Sequence, residues 1–392
     1  MNRGMRRRTF RSILQFLHLW IGLIFSIPFV LIGLTGSIII FIQAMPDLTR
    51  PSATARGEMQ PLVKVIAAAE AAAPQFGTVA ALVLPDSPGD PIRAQFVPPG
   101  VQPANFNPNN GRSLFLDPVS LEVLGDAERR RAGPFMQTVT SIHIAMMAPG
   151  YYGLHFVGFM GVFMVLFGAS GLVLWWPRSG QWRFAFGIKR GARGFRLHRD
   201  LHGAVGFWSL FVFLVVSLSG VMLAFPVTFQ DTVGAVLPLD APVSEATLDP
   251  KLIASLADPN APTVDEAVML ADAAVPNARV AAIQLPPPEG GVYMVALNAN
   301  PYGNGQPQIS AFVAPGGEVF SIVDPRNFSI GKRFLVWLRV LHYGQGWGEV
   351  WRVLVFLSGF LPLLFAITGL RMWQLKRAGR RPLPDGVPVP AE

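Results

Sequence analysis

This chain of 392 residues contains no cysteine. That excludes disulfides, thiolate metal sites, cysteine-ligated iron–sulfur clusters and covalently attached c-type haem. It is compatible with an oxidising compartment. Charge is scarce as well: Asp, Glu, Lys and Arg make up 14% of the residues, against about 25% in a soluble protein. With 51% hydrophobic residues and a mean hydropathy of +0.40, the composition describes a membrane protein with sizeable polar insertions. There is no G-x-G-x-x-G on a strand–helix turn, no P-loop and no H-E-x-x-H. Nor does a short apolar stretch with a cleavage site follow the N-terminus, so no cleavable signal peptide is expected.

What the chain does have is long apolar runs. Four exceed the ~20 residues that cross a ~30 Å hydrocarbon core. They give spans at 13–44, 141–177, 201–226 and 336–375, the last with a periplasmic approach segment before its apolar core at 350–373. The net charge of +8 comes from arginine clusters at the ends of these runs. Arg3, Arg6, Arg7, Arg8 and Arg11 precede the first. Arg178, Arg183, Lys189, Arg190, Arg193, Arg196 and Arg199 fill the connection 178–200. Lys376, Arg377, Arg380 and Arg381 follow the fourth. The positive-inside rule accounts for all three clusters without nucleic acid and puts both termini, 1–12 and 376–392, in the cytoplasm. Trp175, Trp176, Trp182 and Trp373 suit an interfacial belt there. The polar segments 45–140 and 227–335 then lie in the periplasm.

The two polar segments read alike. Each offers a helix (62–73; 264–275) ending at a proline, Pro74 or Pro276, then a strand (78–84; 280–285) running into Pro85 or Pro286, then a hairpin at 113–118 or 310–315. The likeness extends into the membrane. His18, Gly22 and Gly36 match His202, Gly206 and Gly220 at one offset, and Gly161, Phe167, Gly171 and Trp175 match Gly359, Phe365, Gly369 and Trp373 at another. The expected fold is a bundle of four transmembrane helices with two repeated α+β periplasmic units, related by a parallel internal twofold repeat.

The six histidines all fall in or beside the apolar runs. A titratable ring there is costly to keep without a partner, and facing histidines in a bundle can hold a haem by both axial positions. His18 and His202 are expected at one depth near the cytoplasmic face, with a b-type haem between them and Gly22 and Gly206 leaving room for it. The alternative for such rings is hydrogen bonding to lipid phosphates or loop carbonyls. His198, one helical turn before His202, stands as an alternative ligand or as a propionate-binding or supporting group. An i, i+4 zinc site would need a third ligand that no motif supplies.

His143 and His342 form the second matched pair. Each lies ~46–48 Å of helix from Trp175 or Trp373, beyond the core. They should sit at or above the external face unless the helices break, for which Pro149-Gly150 and Gly344, Gly346 and Gly348 offer places. They suit a second haem or a substrate site. His155, near the external edge, either competes for the upper axial position opposite His342 or is a hydrogen-bonded structural histidine. Arg11, Arg178, Arg196 and Arg199 inside, and Arg333 and Arg339 outside, could pair with propionates. Met146 and Met147 are packing residues or axial ligands. Tyr151, Tyr152, Tyr343 and Trp347 surround the external histidines as a substrate surface or an interfacial belt.

The motifs Leu17-His18-Leu-Trp-Ile-Gly22, Ile142-His143, Leu197-His198-Arg-Asp-Leu-His202 and Leu341-His342-Tyr-Gly344, in this order, resemble the PepSY-associated transmembrane helix family. The resemblance covers about His18 to Trp373. That family includes inner-membrane ferric-siderophore reductases of Gram-negative bacteria. It implies haem b bound in the helical bundle and a periplasmic face that reduces Fe(III) in a siderophore; the two matched histidine pairs make two haems the expected number. His155 falls where the family more often has another residue, so no role is carried onto it. The expected protein is an inner-membrane oxidoreductase that takes electrons from a cytoplasmic or quinol donor. No general acid or nucleophile is needed. The rival expectations are a non-enzymatic PepSY anchor that binds or inhibits periplasmic proteases, and an iron or haem transporter.

Overall fold

The computed structural model describes residues 9–44, 51–100, 112–126, 133–148, 150–177, 182–240, 261–287, 291–299 and 308–379. Arg3, Arg6, Arg7, Arg8, Pro149, Arg178, Arg380, Arg381 and the side chain of Arg183 lie outside what is described. In chain order the described helices are α1 (Phe10–Ile24), α2 (Ser26–Ala44), α3 (Leu62–Ala72), α4 (Pro134–Ala145), α5 (Gly150–Trp175), α6 (Trp182–Ala185), α7 (Gly194–Ala224), α8 (Pro226–Gly234), α9 (Val264–Ala274), α10 (Ile330–His342), α11 (Gly348–Ser358) and α12 (Leu361–Ala378). The strands are β1 (Thr78–Val83), β2 (Ile92–Val97), β3 (Arg112–Leu116), β4 (Val123–Asp126), β5 (Arg279–Gln284), β6 (Tyr293–Asn298), β7 (Ile309–Val313) and β8 (Val319–Val323). The chain forms two units, one from Met1–Met45, Thr138–Val233 and Trp337–Glu392, the other from Pro46–Gln137 and Gly234–Val336.

The first unit is the helical bundle of a multi-pass membrane protein. Helix α5, helix α7 and the stretch Gly348–Ala378 are each long and apolar enough to cross a membrane, and α1 with α2 makes a fourth span if the bent pair is counted as one. The expected first span, 13–44, is therefore not a single straight helix: it bends by 65° at Phe25. Pro28 explains the bend. Its ring has no N–H for the Ile24 carbonyl and collides with it. Ten residues beyond His202, where the sequence match puts the equivalent of Pro28, stands Val212, and α7 runs unbroken.

The expected second span, 141–177, is divided too. His143 lies on α4, ahead of a turn in which Met146, Met147 and Gly150 take φ of 49°, 59° and 53°. The methionine pair is thus part of the break. The third span starts at Gly194, so the end of the basic connection 178–200 is helical. The fourth, 336–375, is α10, α11 and α12, broken where Gly344, Gly346 and Gly348 take φ of 68°, 93° and 75°.

Without a hydrophobic drive between helices in lipid, close packing needs small residues. On α5 they are Gly161 and Gly168: a Cβ on the first would stand 3.0 Å from Val221, and on the second 2.6 Å from Leu214, both on α7. Phe159, Trp208, Phe211, Leu357 and Ile367 are exposed on the bundle's periphery, as a lipid-facing surface requires.

The second unit is built on one antiparallel sheet of eight strands in the order β4-β3-β2-β1-β5-β6-β7-β8. The two polar segments thus share one sheet instead of forming separate α+β units. Strand β1 pairs with β5, with Leu82 opposite Ile283. Helices α3 and α9 bury Leu62, Val65 and Ala69, and Val264, Ala267 and Ala271, in one core with Ile92, Phe96, Leu116, Ile283, Leu297 and Val313. Helix α9 carries its own capping box, Thr263 with Glu266. Helix α3 has no such cap. Its first free amides, Leu62 and Val63, donate to the Asp265 carboxylate of α9 at 2.7 and 3.1 Å.

Asp117 is 1% exposed. Burial alone would raise its pKa, but the amides of Ser120, Ala55, Val119 and Thr54 donate to its carboxylate and bring the pKa from 3.8 down to about 2. Because the folded value is depressed, its stabilisation is present above the ordinary carboxylate range and lost as pH falls toward 2. Asp117→Asn should cost on the order of 2 kcal/mol locally. The check is faster hydrogen exchange at those four amides near neutral pH. Equal exchange in both proteins would show that the charge contributes nothing.

Candidate cofactor site: two facing histidine pairs

The bundle brings four of the six histidines together in two pairs. His18 of α1 faces His202 of α7, with ring centres 6.4 Å apart. His143 of α4 faces His342 of α10, with ring centres 6.2 Å apart. Each ring is held through Nδ1. Nδ1 of His143 is 2.9 Å from the Ile32 carbonyl, and Nδ1 of His342 is 3.1 Å from that of Val216. A carbonyl only accepts, so both Nδ1 atoms are donors.

Nδ1 of His202 is 2.8 Å from the Thr368 hydroxyl, which also reaches the Leu364 carbonyl. Nδ1 of His18 is 2.8 Å from the Ser170 hydroxyl, which also reaches the Phe167 carbonyl. At these two rings the hydroxyl can give or take the shared proton, and Nδ1 is held either way. Ser219, 2.9 Å from His342 and itself donating to Val215, repeats the arrangement. Among the described residues all four rings are hydrogen-bonded through Nδ1, which leaves Nε2 as the nitrogen for a ligand. A second partner on Nδ1 is how metal-binding imidazoles are oriented.

The spacing fits an axial pair. An imidazole nitrogen binds a first-row metal at about 2.0–2.1 Å, which puts two ligating rings roughly 6 Å apart, centre to centre. A cavity of about 990 Å³ opens beside the first pair, lined by His18, Gly22, Gly171, His202, Gly206 and Gly369. That is the upper end of the roughly 300–1,000 Å³ of ligand pockets. Phe167 stands edge-on to His18 at 4.8 Å, and Phe365 lies 4.9 Å from His202. Arg11, Arg196 and Arg199 line the same cavity. The last two are paired with Asp200 at 3.4 and 2.9 Å. Donor set, spacing and cavity together fit a haem at the first pair; donor set and spacing fit one at the second.

The expectation that the second pair lies beyond the membrane core is resolved by the breaks. They let His143 reach Ile32 on α2 and His342 reach Val216 on α7, inside the bundle. Gly36 gives His143 its space, since a Cβ there would stand 2.9 Å from the ring's Cε1; at Gly220 the matching distance to His342 is 3.5 Å. Gly36→Ala should therefore perturb a ligand bound at the second pair while Gly220→Ala leaves it intact. Visible spectra of the two purified variants would show this. Equal spectra would mean that Gly36 is not what seats the ring.

Other expectations fall elsewhere. His155 does not face His342: its Nδ1 donates to the Tyr151 carbonyl at 2.7 Å, and its ring packs on Tyr151 and Phe225. Tyr152 packs on Tyr151. Tyr343 is beside His342, and Trp347 stacks on Phe211 and stands edge-on to Trp351. His198 carries a buried Nδ1 without a hydrogen-bond partner and faces no other histidine among the described residues. Nor do three or more potential ligands gather for a metal ion among them. Arg333 and Arg339 are exposed.

The hydroxyl partners escaped the sequence reading, although a signal was there. Thr35, Ser170, Ser219 and Thr368 each stand immediately before a matched glycine: Gly36, Gly171, Gly220 and Gly369.

The family model described as PepSY-associated TM region matches residues 15–376, which include all six histidines. No curated protein matches the chain.

Proposed function

We start from a chain that belongs to the PepSY-associated TM region family, and we propose that it is a haem-b-containing reductase of the bacterial inner membrane. It delivers electrons across the membrane to a ferric siderophore in the periplasm and releases Fe(II). One observation carries the reading: four rings, each held through Nδ1, stand in two facing pairs with ring centres 6.4 and 6.2 Å apart.

Bound haem supplies one-electron redox chemistry. The protein's part is to hold and orient it. His18 and His202 would hold one group at the cytoplasmic end, and His143 and His342 a second toward the periplasm. From His202 to Ser219, which bonds His342, α7 rises roughly 25 Å, so the pairs divide the thickness of the core. Ser170, Thr368, Ser219 and the Ile32 and Val216 carbonyls hold the rings through Nδ1 and leave Nε2 for the ligand. Arg11, Arg196 and Arg199 offer planar cations to carboxylates at the cytoplasmic mouth. The basic clusters put both termini in the cytoplasm. The paired hydroxyl–glycine steps, and a strand order that reads outward alike from the β1–β5 junction, support an internal twofold repeat. The acceptor is Fe(III) in an oxygen-ligand chelate; one electron converts it to Fe(II), which such ligands hold far less tightly. Tyr343 and Trp347 are the substrate-side candidates.

The test is a reduced-minus-oxidised visible spectrum of the purified protein with a pyridine haemochrome count. Two b haems per chain, oxidised on adding a ferric hydroxamate or catecholate, support the proposal. Absence of haem overturns it and favours a protease-binding membrane anchor. Iron uptake into vesicles without any electron donor would favour a transporter.

A further inference from the structure

A second opening lies against the first histidine pair. It is a groove of about 350 Å³ between α1 and α5, lined by Phe10, Leu14, Leu17 and Ile21 on one side and by Phe163, Leu166, Ala169 and Val173 on the other. His18, Phe167 and Ser170 complete it. His18 and Phe167 also line the large cavity, so they are the wall between the two spaces. The groove is open on its outer side: Leu17 is 45% exposed, Leu166 56% and Val173 45%. Those residues belong to spans that face lipid, so what enters must be lipid-soluble.

The two halves of the first pair differ here. Thr368, which holds His202, is 2% exposed and sealed in the bundle. Ser170, which holds His18, lines the groove. Pro28 bends α1 away from the line of α2, whereas Val212 lets α7 run straight. A hydroxyl has one proton and two lone pairs. Ser170 shares one hydrogen bond with His18 Nδ1 and lies within reach of the Phe167 carbonyl. Whichever way the shared proton lies, at least one lone pair remains on its oxygen, in a groove lined apart from His18 by apolar side chains, to accept from a ligand hydroxyl.

We propose that this groove binds the head group of a membrane quinol, and that the quinol is the electron donor of the reductase. This rests on the reading given above. A lipid-soluble ring with a hydroxyl donor is what the lining selects. An acyl chain would leave the Ser170 lone pair unused, and a charged cytoplasmic donor would not enter a lipid-side groove. The stoichiometry balances: one quinol becomes one quinone, its two electrons reduce two Fe(III) chelates to Fe(II), and its two hydroxyl protons go to water. One hydroxyl is held at Ser170, next to the His18 wall.

The experiment uses the full chain, as purified, in lipid nanodiscs with an azido-ubiquinone photoprobe, its labelling sites mapped by mass spectrometry. Labelling within 10–24 or 163–173 that decylubiquinone competes away and added phospholipid does not is the expected result. Leu166→Trp and Val173→Trp, which fill the groove from its open side, should each cut labelling and the rate of haem reduction by decylubiquinol about tenfold, while dithionite still reduces the haem fully. Labelling elsewhere overturns the proposal. So does competition by phospholipid, which would make the groove an acyl-chain site. So does unchanged reduction in both tryptophan variants. The labelling map does not depend on haem. A haem-free chain would sink the reductase reading, and a misplaced label on a haem-bearing chain would sink the quinol site alone.

Discussion

His18→Ala and His342→Ala are each expected to remove about half of the haem b, and a different half. His18 and His342 belong to different facing pairs and share no hydrogen-bond partner. Loss of one ring leaves the opposite pair with its Nδ1 partners in place: His143 on Ile32 and His342 on Val216 in the first variant, His18 on Ser170 and His202 on Thr368 in the second. The double variant should carry no stable haem. His155→Ala should leave the spectrum unchanged, because that ring is committed to Tyr151 and Phe225. The discriminating measurement is a haemochrome count with redox titration of each variant. If both single variants lose the same spectral component, the pairs are not independent sites. If His155→Ala loses a haem, the axial assignment at the second pair is wrong.

The second large effect is expected at a contact with no ligand chemistry. Gly33 of α2 and Gly359, between α11 and α12, meet backbone to backbone. A Cβ on Gly33 would collide with the Gly359 carbonyl, and one on Gly359 with the Gly33 carbonyl and the Ser37 hydroxyl. That hydroxyl also ties the helices, donating to the Phe356 carbonyl at 2.6 Å. The crossing lies between Pro28, which bends α1 from α2, and Gly36, which makes room for His143. Gly359→Leu should cost about 3 kcal/mol or more, since backbone cannot yield to the added side chain. Thermal unfolding in detergent is the check. Gly369, beside whose Cβ position nothing stands within 4 Å, is the control, and Gly369→Ala should unfold close to wild type. A Gly359→Leu protein as stable as that control would mean the two helices do not meet there.

Much of the site was legible in the sequence. His18 and His202 recur with their glycines at one constant offset, and His143 and His342 correspond once one residue is slipped near Pro149-Gly150; that identified the pairs. His18 with His202 and His143 with His342 are the rings that the fold brings together. Gly344, Gly346 and Gly348 marked a real break, because positive φ is what glycine permits. His155 was left between an axial and a hydrogen-bonded structural role because its distance from Trp175 fixes a depth and not a helical face. The hydroxyl partners were missed because serine and threonine in a membrane helix usually satisfy themselves on their own backbone. Their second role, as partners for an imidazole, needs the neighbouring helix.

By itself, then, the sequence determined composition, span number, the matched histidines and the element types of the polar segments. All of these follow from local pattern: apolar length against a bilayer, period-two alternation in strands, proline and glycine at breaks. The bend at Phe25 was also written locally, in Pro28. What only the tertiary structure decided is everything that depends on two distant segments meeting. The polar segments join at β1 and β5 into one sheet. Asp265 caps another helix. The second histidine pair folds back inside the bundle, and one histidine's hydroxyl partner lines an open groove while the other's is sealed. Those outcomes rest on packing between residues far apart in the chain, and the local pattern of either partner carries no record of the other.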